Sequence, residues 1–233
     1  MPSKVLSMSR RLLTFAFLAF FLPPASFPAE PAPISLPSPK KAGSMSLEAA
    51  LTARRSVRSY TSQSLTVAEV GQLLWAAQGV TSPDGKRTAP SAMHRYPLEI
   101  ALVAQNVDGL PCGAYRYVPA THSLQLLATA KPGAALLAGS TSQPQVRSAP
   151  AVFVITAVYE RMGSGAKNRT WTDYEAGLAS ENLLLEAVAL RPGAVVMGGI
   201  EPASVKDTVK LTGGEQVIVV IPVGHPAESQ EEE

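Results

Sequence analysis

The stretch Arg54-Arg55-Ser56-Val57-Arg58-Ser59-Tyr60 carries three guanidinium groups and one hydroxyl within its first five residues. It follows a short amphipathic segment that Ser46 is placed to cap as a helix. Each guanidinium can donate two N–H groups in a planar fork and keeps its charge at any working pH, which suits a dianionic phosphate. Taken alone, the cluster is equally consistent with a solvated basic patch that follows a helix.

Further segments favour the phosphate interpretation. The arginine cluster is followed in order by Pro90-Ser91-Ala92, Tyr96-Pro97-Leu98-Glu99-Ile100, Tyr174-Glu175-Ala176-Gly177, Met197-Gly198-Gly199-Ile200 and Ile221-Pro222-Val223-Gly224-His225-Pro226. No single segment is specific. In this order and spacing they resemble the flavin-dependent nitroreductase superfamily. The closest likeness is to its azoline-oxidase-like dehydrogenases, whose R-R-S-x-R-x-[FY] motif precedes P-S-A-G-x-x-Y-P-L-E. The resemblance runs from about residue 46 to residue 226.

The resemblance implies an α+β fold, in which helices flank a mostly antiparallel central sheet, and a homodimer with two FMN molecules at its interface. Met197-Gly198-Gly199 would pass beside the isoalloxazine ring, where a backbone without Cβ atoms can bring an N–H group close to N5 or O4. Pro90-Ser91-Ala92 would reach the flavin from the partner subunit. The phosphate and ribityl chain would be held by Arg54, Arg55, Ser56 and Arg58.

The pattern fixes no catalytic residue and offers three candidate proton donors: His94, Tyr96 and Tyr174. His94 is expected beside the flavin edge, and an imidazole can act as a proton donor. A buried tyrosine, however, more often packs in the core with its hydroxyl paired. Gly198-Gly199, considered alone, is also consistent with a simple turn between a strand and a helix.

Two positions depart from the family motif. Met93 stands where glycine normally follows Pro-Ser-Ala, and its bulk predicts a narrowed or reshaped substrate pocket. Many relatives also supply a lysine or arginine after Val-Gly-His, whereas this chain continues into an acidic tail over 227–233. Phosphate binding is therefore expected to rest more heavily on Arg54, Arg55 and Arg58.

Periodicity and turn chemistry predict the elements that carry these motifs. Thr66-Val67-Ala68-Glu69 is a capping box, and the apolar spacing that follows it ends at Gly79. The sequence predicts helices over 46–54, 66–79, 173–190 and 203–210, a short helix after Pro132, and strands over 98–103, 114–118, 124–127, 151–158, 195–197 and 217–222.

The predicted helix over 173–190 is the longest. Leu178, Leu185 and Ala189 are expected on its apolar side. Leu183 and Leu184 would be buried either in the core or in the dimer interface, and the sequence alone does not separate these two environments.

Composition limits the classes of function. With 233 residues, 46% apolar and 16% charged, the chain can bury one sizeable core, so one domain plus a leader is expected. A net charge of +2 and the lack of a basic stripe with interleaved aromatics argue against a nucleic-acid partner. Cys112 is the only cysteine and the three histidines are scattered, so neither an intrachain disulfide nor a metal site is expected.

The N-terminal region reads as a leader. Arg10-Arg11 precedes an apolar run over 12–22, which Pro23-Pro24 ends. Eleven helical residues would span about 16 Å, roughly half of a bilayer core, so a stable membrane anchor is not expected. The pattern predicts a signal peptide over 1–29 and export to the periplasm by the Sec or the twin-arginine route. A Pro/Ala/Ser-rich linker outside the fold is predicted over 30–45.

The resulting functional prediction is an FMN-dependent oxidoreductase with its FMN-binding domain over 46–226. Hydride would pass through flavin N5 by a ping-pong mechanism, from NAD(P)H or another donor to a small electron-poor acceptor such as a nitroaromatic, quinone or enone. The alternatives are an azoline-type dehydrogenase or oxidase, a catalytically silent flavin or small-ligand carrier, and a structural module without flavin.

Overall fold

The computed structural model describes residues 31–129 and 143–227. The predicted signal peptide, the predicted helix after Pro132 and residues 228–233 lie outside these ranges. The described elements are, in chain order, β1 Ile34–Ser35, α1 Leu47–Ala53, β2 Leu65–Thr66, α2 Val67–Gln78, β3 Leu98–Ala104, β4 Val107–Asp108, β5 Gly113–Val118, β6 Ser123–Thr129, α3 Pro144–Ser148, β7 Ala151–Ala157, α4 Ala166–Leu190, β8 Gly193–Ala194, α5 Pro202–Val209 and β9 Gln216–Gly224.

A seven-stranded sheet forms the centre of the fold, with the strand order β1-β6-β5-β3-β7-β9-β8. Every neighbouring pair in this sheet is antiparallel. β2 and β4 form a separate parallel pair. The predicted α+β fold with a mostly antiparallel sheet is thus confirmed.

The two faces of the sheet bury different side chains because residues alternate along each strand. On one face, Leu102 of β3 and Phe153 of β7 pack in a cluster with Leu73 of α2 and Leu183 of α4. On the other face, residues such as Val154 pack with side chains of α3 and α5. The sheet is therefore covered on both sides, which explains why β7 is apolar at nearly every position.

The predicted helix caps are confirmed. The Ser46 hydroxyl accepts a hydrogen bond from the Ala49 N–H at 3.2 Å. At α2, the Glu69 N–H donates to Thr66 Oγ1 at 3.2 Å, and the Thr66 N–H donates to the Glu69 carboxylate at 2.7 Å. Gly79 ends α2 as predicted, but with φ −66°. Glycine is required there because a Cβ atom would lie 2.1 Å from the Trp75 ring.

The long helix differs from its prediction in both length and buried side. α4 begins at Ala166 rather than at residue 173, because the Asn168 side chain donates to the Met162 carbonyl and ties the first turn to the preceding loop. The apolar side predicted through Leu178, Leu185 and Ala189 is wrong. Leu178 is 48% exposed, and the core-facing residues are Glu175, Ala176, Ala179, Leu183, Leu184 and Ala187.

The segment predicted as a linker over 30–45 is partly built into the fold. β1 pairs with β6, and the Leu36 side chain is buried in the larger core cluster. The Lys40 backbone exchanges two hydrogen bonds with the Gln72 side chain, at 2.8 and 3.0 Å. The linker prediction is wrong at these positions. A strand of two residues leaves little periodic signal, and the prolines around β1 favoured a linker instead.

In the C-terminal half of the chain, the strand predicted over 195–197 is not formed. The structure has β8 at Gly193–Ala194 and an isolated bridge between Met197 and Val220 instead. Within the described ranges, no helix is long and apolar enough to cross a membrane.

Candidate functional site

The arginine-rich segment runs alongside β8 and the residues that follow β9. Ser56 forms a parallel bridge with Ala194, and the Val57 N–H donates to the Ala194 carbonyl at 3.1 Å. Farther along, the Thr61 N–H donates to the His225 carbonyl at 2.9 Å. These contacts hold the segment extended beside the last two strands of the sheet.

Tyr60 anchors this segment to β9. Its buried hydroxyl lies 2.7 Å from the Val57 carbonyl and 3.0 Å from the Pro222 carbonyl. Burial raises the pKa of Tyr60 well above its ordinary value, although the nearby charge of Arg58 opposes the shift. A hydroxyl that is paired and reluctant to ionise is a structural group. The sequence motif contained Tyr60 but gave no sign of this role.

The three guanidinium groups predicted to bind phosphate lie at the surface, and each uses few of its N–H donors within the described part of the chain. Arg55 Nη1 donates to the carbonyls of Thr52 and Arg54, at 3.0 and 2.8 Å. Arg54 Nε lies 3.6 Å from a Glu181 carboxylate oxygen. Within the described part of the chain, the one hydrogen bond of the Arg58 guanidinium is a long one, at 3.4 Å, to the Ser56 carbonyl. Because each guanidinium has five N–H donors, most of them remain available to an anion.

Met197-Gly198-Gly199 follows β8 along the same edge. Met197 is buried and pairs with Val220 through two backbone hydrogen bonds, at 2.9 and 3.0 Å. Gly198 and Gly199 are exposed, and within the described ranges neither of their N–H groups donates to a backbone carbonyl. A Cβ atom on Gly198 would meet no protein atom within 4 Å. The fold itself therefore does not require glycine here, which is consistent with close approach of a ligand.

The Pro90-Ser91-Ala92 loop is attached to α4. The Ala92 N–H donates to Glu175 Oε1 at 2.7 Å, and the Tyr96 N–H donates to the Ser91 hydroxyl at 2.8 Å. Burial raises the pKa of Glu175, opposed by its hydrogen bonds with the Ala92 N–H and the Ser91 hydroxyl. None of the hydrogen bonds found in the described ranges joins this loop to the arginine-rich segment of the same chain.

The residues that follow this loop adopt unusual backbone angles. Met93, His94 and Tyr96 have φ values of 55°, 54° and 46°, in the left-handed region that L-residues seldom occupy. Met93 is 60% exposed. Tyr96 is held from two sides, since the Arg87 guanidinium lies 4.6 Å from its ring and Arg161 donates to its carbonyl at 3.2 Å.

The three candidate proton donors lie in different environments. The Tyr96 hydroxyl accepts a hydrogen bond from the Arg87 N–H at 3.3 Å, so it has a structural partner. His94 is exposed, and its ring stacks on that of Tyr96 at a centroid distance of 6.3 Å. Tyr174 is 66% exposed on the outer side of α4. A catalytic role for any of them stays a prediction.

Two other features narrow the choice of site. A cavity of about 580 Å³ lies between α4, α5 and β9, but its charged residues are paired internally: Arg169 donates to Gln216 and Asp173 accepts from Tyr159. No group of three or more His, Cys, Asp or Glu residues able to hold a metal ion occurs among residues 31–129 and 143–227.

Comparison with known proteins identifies the fold family. The model of the nitroreductase family matches residues 51–225, most of the chain. The chain belongs to the nitroreductase family. This family member is 35% identical over 184 residues to a candidate nitroreductase of Methanocaldococcus jannaschii, which covers 78% of this chain and 92% of the relative.

Solved structures agree with this assignment. A candidate nitroreductase from Ralstonia eutropha JMP134 has a TM-score of 0.73 at 30% identity, covering 84% of this chain and 90% of its own. A second, from Desulfovibrio desulfuricans and crystallised in complex with FMN, has a TM-score of 0.59 at 23% identity, covering 80% and 91%. At that identity the second structure supports the shared fold.

The residues at the β8–β9 edge of this member of the nitroreductase family fit a flavin mononucleotide. Surface guanidinium groups suit its phosphate, and the Ser56 hydroxyl suits the phosphate or the ribityl chain. The exposed N–H groups of Gly198 and Gly199, which donate to no backbone carbonyl of the described residues, suit acceptors on a flat ring. The Pro90-Ser91-Ala92 loop is anchored elsewhere in the chain. The structure thus brings together two of the three predicted groups of site residues within one chain.

Proposed function

We propose that this member of the nitroreductase family is an FMN-dependent oxidoreductase that works as a homodimer. The observation that carries the proposal is the pairing of Ser56 with Ala194, which lays the guanidinium-rich segment beside the strand that leads into Gly198-Gly199. Cationic donors for a phosphate and neutral N–H donors for a ring edge therefore lie on neighbouring backbones.

The chain's own contribution is binding and orientation. The guanidinium groups of Arg54, Arg55 and Arg58 would donate to the phosphate, and the exposed N–H groups of Gly198 and Gly199 would donate to the ring edge. FMN, when bound, supplies hydride transfer at N5. Tyr60 keeps the phosphate-binding segment in register with β9, so it acts as a positioning residue.

The proposed reaction is a ping-pong exchange, in which the reductant leaves before a nitroaromatic, quinone or enone occupies the same face. Parallel lines in double-reciprocal plots at several acceptor concentrations would support it, and intersecting lines would contradict it. Bleaching of the bound flavin by dithionite, followed by reoxidation on addition of a quinone, would separate an enzyme from a silent flavin carrier.

A stripe of exposed apolar residues on α4 supports the homodimer. Trp171, Tyr174 and Leu178 recur at helical spacing and are 41%, 66% and 48% exposed, whereas Leu183 and Leu184 are already buried in the core of one chain. Continuous apolar surface of this kind marks an interaction site. Leu178→Asp should yield a folded monomer by light scattering that has lost flavin, and Lys167→Ala on the same helix should remain dimeric.

The narrower assignment to the azoline-oxidase-like branch rests on the residues that match R-R-S-x-R-x-[FY] and P-S-A. In that reaction a thiazoline or oxazoline ring would lose two electrons and two protons to become an azole, with the electrons passing to the flavin. Azole formation from a model azoline peptide would support this branch. Turnover of NAD(P)H with quinones alone would favour the broader nitroreductase chemistry.

The sequence of the leader also supports a proposal of export to the periplasm. An exported enzyme would need an electron donor other than the cytosolic pool of NAD(P)H. Cell fractionation combined with N-terminal sequencing of the mature protein tests this proposal. Full-length protein confined to the cytoplasm would contradict it.

The decisive experiment is cofactor analysis of natively purified protein by mass spectrometry and absorbance. We expect FMN, and we expect Arg54→Ala and Arg58→Ala each to remove charge-assisted hydrogen bonds of roughly 1.5–3 kcal/mol, a loss of roughly 10- to 150-fold in FMN affinity. Arg147→Ala, which removes an exposed arginine of α3, is the matched control. Parental affinity in both site variants would show that the phosphate site is misplaced.

A further inference from the structure

The C-terminal ends of α1 and α4 open onto one small cleft of about 150 Å³. Arg55 and Arg191 line it, and the other lining residues are apolar or glycine, including Val57, Leu184 and Ala194. None of the described residues that line the cleft is acidic. Two cations that share an apolar cleft without a carboxylate form a favourable environment for an anion.

The backbone register places Arg191 at the phosphate end of the proposed flavin site. Ser56 and Ala194 form a parallel bridge, so residues that precede them on the two segments stay level with each other. Arg55, which precedes Ser56, therefore lies near Gly193, which precedes Ala194, and both line the cleft, while Gly198 follows four residues after Ala194. The segments touch, because a Cβ atom on Gly193 would lie 2.5 Å from the Val57 side chain.

Arg191 occupies a position where its side chain contributes nothing visible to the fold. It caps α4 with φ 85° and ψ −22°, in the left-handed conformation that glycine adopts without strain. It is exposed, and its guanidinium makes no hydrogen bond or ion pair to any residue in the described part of the chain. Residues held in strained backbone conformations cluster at functional sites.

Arg55, the other cation of the cleft, also has guanidinium donors available for an anion. Its Nη1 is fixed by the carbonyls of Thr52 and Arg54, which leaves Nη2 and Nε as free donors. Among the described residues that follow β9, Pro226 lines the cleft and carries no charge. Arg191 is thus the second cation, with Arg55, among the described residues that line this cleft.

We propose that Arg191 is a binding residue for the phosphate of FMN and acts together with Arg55. This inference rests on the proposed function. Arg191 supplies a second positive charge to the cleft from the end of α4. The two guanidinium groups donate to different oxygens of the same dianion.

The test compares FMN with riboflavin, which lacks the phosphate, by fluorescence titration of the flavin-free protein. Arg191→Ala and Arg191→Gly should each weaken FMN binding at least roughly tenfold and leave riboflavin binding unchanged. Arg191→Lys should retain part of the affinity. Arg147→Ala should bind both flavins as the parent does. Arg191→Gly should also raise the midpoint of urea unfolding, because glycine relieves the backbone strain.

Lower FMN affinity together with higher stability in Arg191→Gly excludes misfolding as the cause. Parental FMN affinity in Arg191→Ala would overturn the inference and leave the proposed function intact. Equal weakening of riboflavin and FMN would overturn it as well, because the side chain would then act on the ring or on the fold. A parent protein that binds no FMN would overturn both the inference and the proposed function.

Discussion

Glu175→Ala removes the contact that fixes the Pro90-Ser91-Ala92 loop to α4. Glu175 is 5% exposed, and its carboxylate accepts a hydrogen bond from the Ala92 N–H at 2.7 Å. The chain immediately after this loop, at Met93 and His94, is held at positive φ, a conformation that persists only when its surroundings enforce it. Loss of the carboxylate should therefore both destabilise the protein and release the loop.

The expected destabilisation lies at the lower end of the range for charged hydrogen bonds. Such bonds contribute about 1.5–3 kcal/mol. Burial raises the pKa of Glu175, so the charged carboxylate also costs desolvation free energy, which alanine removes. We expect a loss of about 1.5 kcal/mol, which lowers Tm by roughly 3–6 °C in a domain of this size. Glu175→Gln keeps an acceptor oxygen and should lose less.

The pH dependence gives a second measurement. The folded-state pKa of Glu175 is raised above its unfolded value of 4.5, so the native state binds more protons between these two values. The stability linked to this carboxyl group is fully present below pH 4.5 and is lost as pH rises through the folded-state pKa. Burial raises the pKa of Glu186 too, so both groups act in the same direction. Glu175→Gln should flatten this part of the profile.

Urea unfolding from about pH 4 to 8 and amide exchange at Ala92 provide the assays. The Ala92 N–H should exchange slowly in the parent and fast in Glu175→Ala. Glu181→Ala, which removes a half-exposed carboxylate from the same helix, should change stability by less than about 1 kcal/mol. If Glu175→Ala and Glu181→Ala unfold at the same urea concentration, the loop is not held by this carboxylate.

Three further substitutions test other parts of the structure by urea unfolding. Thr66→Ala should cost about 1 kcal/mol, because α2 loses the side chain that accepts the Glu69 N–H. Met93→Gly should stabilise the protein by about 0.5–1 kcal/mol, since relief of the positive φ exceeds the added chain entropy of glycine. Glu215→Ala should cost about 3–5 kcal/mol, because Arg116, paired with it at 2.6 Å, would remain buried without a partner. Recovery of stability in the double variant Arg116→Met/Glu215→Leu would support the role given to this ion pair. Parental stability in any one of the three single variants would contradict the role given to the residue it replaces.

Local signals predicted the elements whose ends are fixed by nearby residues. The capping box at Thr66 and the hairpin of β5 and β6 are examples, because a side chain a few residues away, or a short turn, determines each of them. α4 was harder to predict. Its first turns are exposed and polar, and its buried side is composed of small residues and of Glu175, which do not form a strong apolar stripe.

The remaining differences depend on contacts between distant residues. β1 is short and acquires its strand conformation from β6, about ninety residues later, through the pairing of Ile34 with Leu124. The extended chain near Met197 forms only a bridge to Val220, because β8 already pairs with the end of β9 at Gly193. The local sequence of a short strand determines neither which strand it pairs with nor the register of that pairing.

The same limit applied to the candidate site. The motif residues were predicted by resemblance, and their number and spacing were sufficient for that. The positioning role of Tyr60 was not predicted, because its hydroxyl reaches a carbonyl of β9, 162 residues away in sequence. Arg191 was not predicted either, since its proximity to Arg55 arises from the bridge between Ser56 and Ala194.

β9 connects the two groups of site residues that one chain brings together. Its Val220 pairs with Met197, beside the proposed ring-binding glycines. Its Pro222 carbonyl accepts a hydrogen bond from the Tyr60 hydroxyl, beside the proposed phosphate-binding arginines. Because β9 is held between β7 and β8 in the central sheet, both groups of donors have positions fixed by the same core strand. A strand that holds cationic donors at a set distance from neutral N–H donors can select one extension of the chain that joins the phosphate to the ring of a single ligand. Changes in the packing of β9 should therefore alter the binding of both ends of that ligand together.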